Sequence, residues 1–243
     1  MRSLLTNNKL IYLLDEIERK LGPIHIGAMS REHSEIARCS MSWYPEKGWH
    51  LLVPGNIPPS QSTICHELAH LVLLIEGWPI FIINNLIQHR TPEYETFSML
   101  TNLILHIDVW DIVKKMGYDE LQDYRPGLES LINDIDNKSI FNLTHPDLTT
   151  SFRAAYIAQA LLGPKDDELI IKLEYSSIKS MPTEFELAQD IVDIFKKYAP
   201  LNPEKCLDCF SEVLRKLNLN TELFKAITNP VLERHFRLKF LSQ

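Results

Sequence analysis

Leu10, Leu13, Leu14, Ile17 and Leu21 recur at helical spacing among Asp15, Glu16, Glu18, Arg19 and Lys20. This pattern predicts an amphipathic surface helix, closed by Gly22-Pro23. The period then drops to two. Ala37, Cys39, Met41 and Trp43 alternate with Arg38, Ser40, Ser42 and Tyr44, and a second run places Trp49, Leu51 and Val53 on one face. Turn-forming Pro45-Glu46-Lys47-Gly48 lies between the runs, so together they predict an antiparallel hairpin. Ile24-His25-Ile26 is a candidate third strand. Pro54 to Pro59 reads as a rigid connector, and Ser60 as the N-cap of a helix that runs from Gln61 to Glu76, where Gly77 and Pro79 stop it. Thr91-Pro92 opens another long helix, which ends near Met116 ahead of Gly117.

Beyond Pro126 the chain reads helical in pieces, most clearly over 128–135, 149–162, 184–198 and 203–217. Strands are scarce after Val53, apart from a candidate over 169–173. The expected fold is α+β and mostly helical: a small N-terminal antiparallel sheet packed on the 61–76 helix, followed by a helical C-terminal half. A boundary near Asn142–Pro146 would divide a domain over 1–145 from a helical region over 146–243.

Composition narrows the function classes. A chain of 243 residues, 45% hydrophobic, has ample material for a core. Its formal charge of −7 argues against a nucleic-acid partner. The longest apolar stretch, Leu71 to Ile75, is far short of the roughly 20 residues that a membrane-spanning helix requires. Thr6-Asn7-Asn8-Lys9 interrupts what could otherwise begin a signal peptide. Cys39, Cys65, Cys206 and Cys209 are too few for a disulfide framework, so a cytoplasmic protein is expected.

The chemistry lies in His66-Glu67-Leu68-Ala69-His70, an H-E-x-x-H. Histidines four apart share one helix face, so both imidazoles can reach a single metal ion. Glu67 lies about 100° round the helix, too far to ligate the ion but placed to touch a water bound to it. Zinc lowers the pKa of such a water, and the carboxylate can take its proton during attack on a carbonyl. This composition would produce only about 0.03 such motifs by chance. Ile64, Leu68, Leu71, Val72 and Ile75 also give the helix a side to bury.

Strands, an H-E-x-x-H helix and then a second long helix resemble the zincin metallopeptidases over residues 24 to 116, and most of all the small cytoplasmic ImmA/IrrE-type peptidases. The resemblance implies a Zn²⁺ cofactor, a protein or peptide substrate and a third metal ligand. In metzincins that ligand falls six residues after the second histidine, at Glu76 here, but Leu73 stands where those enzymes need glycine. Gluzincin-like enzymes take a glutamate from the next helix, where Glu93 and Glu95 lie. Glu95 shares a stripe with Met99, Asn102 and His106, while Glu93 shares an apolar one with Phe97, Leu100 and Ile104, so facing favours Glu95. Met99 departs from the polar residue that family members often carry four positions after the ligand. Glu93, His89, His106 and Asp108 stay open as alternatives, and Asn102, His106 and Asp108 also as partners of a zinc-bound imidazole.

An oxyanion donor could come from Tyr124, His145, Arg153 or Tyr156. Cys206-x-x-Cys209 and Cys65 read as packing thiols, and Cys39 as a remote candidate for an inhibitory metal ligand. The expected function is therefore zinc-dependent peptide hydrolysis, with the hairpin edge receiving an extended substrate and the helical half shaping the cleft or recruiting a regulatory protein. The rival reading is a structural zinc in an interaction module. Glu67 counts against it, because a structural site has no use for a base beside the metal.

Overall fold

A computed structural model describes residues 1–29, 39–44, 47–55, 58–83, 92–138, 146–219 and 224–227. Its described elements are five strands and eight α-helices: α1 (Asn8–Leu21), β1 (Ile24–Ala28), β2 (Ser40–Tyr44), β3 (Gly48–Val53), α2 (Gln61–Ile75), β4 (Ile80–Ile83), α3 (Pro92–Lys115), α4 (Glu120–Asp136), α5 (Pro146–Leu162), α6 (Asp167–Ser180), α7 (Pro182–Tyr198), α8 (Pro203–Lys216) and β5 (Phe224–Ile227). The fold is α+β and mostly helical, as the periodicities predict. The expected boundary near Asn142–Pro146 falls mainly on residues outside the described set. The chain divides into two compact units, and α3 runs without a break past the division after Ile107.

The described part of the first unit covers residues 1–77 and 108–119. Asn7 caps α1 by accepting the Lys9 amide at 2.9 Å, and Gly22 at φ +85° ends the helix. The Glu18 carboxylate then accepts the Ile24 amide at 3.0 Å, which fixes the start of β1 against α1. Strands β2 and β3 form the predicted hairpin, with Met41 opposite Leu51 and Trp43 opposite Trp49. The candidate third strand is present, but it joins β3 in parallel, so the sheet is mixed, in the order β1-β3-β2, rather than antiparallel throughout. A parallel neighbour requires the chain to come back to its starting end first, and the antiparallel β2 makes that return. Ile24 and Leu51 point from the sheet into the core, which Leu10, Leu14 and Ile17 of α1 and Ile64, Leu68 and Leu71 of α2 complete.

Helix α2 is fixed at both ends. The Ser60 hydroxyl accepts the Thr63 amide at 3.0 Å, as its N-cap position predicts, and Gly77 turns the chain away at φ +91°. Gln61 in its first turn donates to the Leu4 carbonyl at 2.7 Å and accepts the Thr6 amide at 3.0 Å. One side-chain amide therefore ties residues 4–6 to the base of the motif helix.

The second unit, 78–107 and 120–228, is a helical assembly. Ala154, Ala155 and Ala158 give α5 a small-residue face, and Ala188, Ile191, Val192 and Phe195 of α7 are buried with them. The candidate strand over 169–173 is instead the first part of α6. Asp166 caps that helix through the Leu169 amide at 3.3 Å, and Leu169, Leu173, Ser176 and Ser177 continue the buried face at helical period. Strands β4 and β5 were not legible in the sequence. They pair antiparallel, Ile80 with Ile227 and Ile83 with Phe224, while Phe81 packs on Phe210 of α8 at 4.2 Å between ring centres.

Gly163 is held to glycine by a neighbour. A Cβ at that position would meet the Tyr124 hydroxyl oxygen at 2.6 Å and ring carbons at 2.8 and 3.0 Å. The ring is not free to retreat, since its hydroxyl donates to the Gln159 carbonyl at 3.3 Å. Gly163→Ala is expected to destabilise the protein by about 1–3 kcal/mol in urea unfolding. A change inside about 0.5 kcal/mol would show that the contact yields cheaply.

Candidate metal centre

The buried side of α2 fixes where its polar side points. Ile64, Cys65, Leu68 and Leu71 are all at most 2% exposed, so the helix cannot rotate without exposing them. The opposite side carries His66 and His70 one turn apart, their ring centres separated by 5.1 Å at 72°. Burial, and then the neighbouring His66, draw the His70 imidazole down to about 3. His70 is therefore neutral at ordinary pH, the state in which imidazole ligates a metal.

Glu67 points elsewhere on the helix, toward the sheet. Its Oε2 accepts the backbone N–H of Met41 on β2 at 2.8 Å. Loss of water raises the carboxyl to about 7, opposed by the Met41 hydrogen bond. A carboxylate that binds a proton near neutral pH is suited to moving one. Residue-type patterns gave no sign of this bond, because its donor is a main-chain amide whose direction depends on which strand forms the sheet edge.

Cys39, just ahead of β2, lies close enough to feel the Glu67 charge. Burial, then that charge, push its thiol up to about 12. Cys65 is also buried and pushed up to about 12. Cys206 and Cys209 are fully buried on α8, as packing thiols should be.

The candidate third ligands fall at different places. Glu93 and Glu95 lie in α3, as predicted, with side chains outside the described residues, and His89 lies outside them altogether. Asn102 is exposed. His106, in the second unit, has its Nδ1 2.7 Å from the side-chain amide of Gln159 on α5. That partner is 53 residues away and had no sequence signal. Asp108, in the first unit, is raised to about 6, chiefly by burial and then by Asp111, with Lys115 opposing and Glu76 adding a smaller push. Its Oδ2 is buried without a hydrogen-bond partner among the described residues. Glu76 is exposed where α2 ends.

The candidate oxyanion donors of the second unit have structural work. Tyr124 is locked against Gly163 and the Gln159 carbonyl, and Arg153 pairs with Glu184 at 3.3 Å, tying α5 to α7. Tyr156 stacks on Phe152, and its hydroxyl is raised by burial and by Asp134. His145 lies outside the described residues.

Because the folded state raises the Glu67 carboxyl from 4.5 to about 7, it binds the Glu67 proton more tightly than the unfolded chain does. Ionisation of Glu67 therefore costs stability as pH rises through that window. With metal chelated, Glu67→Gln should be more stable than wild type at pH 8, by up to about 3 kcal/mol. The gap should close below about pH 4.5 in melting curves, where the wild-type carboxyl is protonated in both states. A difference that stays flat from pH 4 to 8 would contradict a desolvated carboxylate. No protein-family model, curated protein or solved structure matches this chain.

Proposed function

We propose that this protein is a zinc-dependent peptidase, with His66 and His70 as metal ligands and Glu67 as general base. The observation that carries the reading is the buried Glu67 carboxylate, held by the Met41 amide, on the same helix as a pair of histidines with ring centres 5.1 Å apart. A structural zinc site would gain nothing from a buried carboxylate on its ligand helix.

For the third ligand the two candidates on α3 are Glu95 and His106. Glu95 lies three turns away along α3, about 16 Å, so the two residues cannot serve the same ion.

Zinc bound to these side chains would supply a water of lowered pKa. With Oε2 bonded to Met41, Oε1 would be the oxygen left to take a proton from that water and return it to the leaving amine. The substrate class is peptides or extended protein segments, laid along the β2 edge, with the C-terminal helices available to a regulatory partner. We place the protein in the cytoplasm, on four buried cysteines that form no disulfide; no described helix is long and apolar enough to cross a membrane.

Purified protein is expected to carry about one zinc per chain, lost in His70→Ala and in one of Glu95→Ala and His106→Ala. Glu67→Gln should keep the zinc and lower hydrolysis of a mixed peptide pool by about a hundredfold or more. Zinc lost with Glu95→Ala but kept with His106→Ala would assign the third ligand to Glu95, and the opposite pattern to His106. Zinc-loaded wild type that leaves the peptide pool intact would favour the interaction-module reading.

A further inference from the structure

A second pair of histidines lies outside the motif. We propose that His25 and His50 form a separate site for a borderline divalent transition-metal ion, on the face of the three-stranded sheet opposite its buried one. The two residues are direct register partners across β1 and β3. They alternate with Ile24 and Leu51, whose side chains enter the core, so their own side chains stand on the other face.

The geometry suits shared ligation. The ring centres are 5.1 Å apart at 38°, the same separation as in the His66–His70 pair. Two imidazoles on one ion, each with a metal–nitrogen distance of about 2.0–2.1 Å, place their ring centres at about this separation. The His50 ring is oriented in advance. Its Nδ1 lies 3.1 Å from the Gly48 carbonyl, and because a carbonyl can only accept, Nδ1 carries the proton and Nε2 presents the lone pair. Tyr44 packs edge-on against the same ring, 5.1 Å between centres at 88°. His25 is exposed and can adjust to an ion held by His50. Two imidazole donors select zinc, copper or nickel over calcium or magnesium. With only two protein ligands, water or a donor from another molecule fills the remaining positions.

This site does not depend on the peptidase reading, and its test is arranged to keep the two apart. Full-length protein carrying His66→Ala and His70→Ala, which silence the motif, is titrated with Ni²⁺ alone by calorimetry. One ion per chain is expected, with affinity reduced roughly tenfold or more in His25→Ala or His50→Ala. Ser42 stands opposite His50 on the β2 side, so Ser42→His should add a third ligand and tighten binding by about tenfold. If the motif variant does not fold, the same substitutions in the wild-type background should lower the Ni²⁺ count by one for His25→Ala. Affinity and count unchanged within about twofold in both His25→Ala and His50→Ala would overturn the proposal.

Discussion

One hydrogen bond across an element boundary organises the first unit: the Met41 amide of β2 donates to the carboxylate of Glu67 on α2. A strand at the edge of a sheet leaves alternate amides without ladder partners, and a buried amide without a partner costs free energy. The Glu67 carboxylate, itself short of water, meets that need. The bond therefore satisfies the amide, offsets part of the carboxylate's loss of water and holds the rotation of α2 about its axis. With the rotation fixed, His66 and His70 have one direction in which to point. The apolar contacts of Ile64, Leu68 and Leu71 reinforce the same rotation from behind.

Much of this unit was legible in the sequence, because its signals are local. Ser60 caps the helix that it precedes, Gly77 ends it, and the alternating runs around Gly48 pair as a hairpin. What the sequence did not reveal is how such segments combine. The β1 strand could be seen, but not its parallel alignment with β3, because orientation is decided by the return path of the chain rather than by composition. Leu169 to Leu173 looked like a strand because a short apolar run carries no period of its own. The N-cap at Asp166 and the buried residues beyond it settle the matter in favour of helix.

The candidate site divides along the same line. His66, Glu67 and His70 were legible because five consecutive residues on one helix carry their own geometry. The partner of the Glu67 carboxylate comes from another element and from an unremarkable residue type, a methionine amide on a strand. His25 and His50 were invisible as a pair for the same reason, since only the parallel register brings them together. An isolated histidine in a strand gives no signal.

The β4–β5 pair has a consequence for the order of assembly. Its strands are contributed by residues 80–83 and 224–227, so the intervening chain of the second unit forms one very long closed loop. Closing such a loop costs more entropy than any helix–helix contact within it, and the few main-chain bonds of so short a ladder return little until the flanking side chains pack. On a ribosome, Ile80 to Ile83 would emerge long before their partner and would wait as an apolar strand with both edges open. The helices α4 to α8 can gather in the meantime, and Phe210 on α8 offers Phe81 a surface before β5 arrives. The late-synthesised β5 then acts as a clasp, locking an arrangement that the helices have already reached.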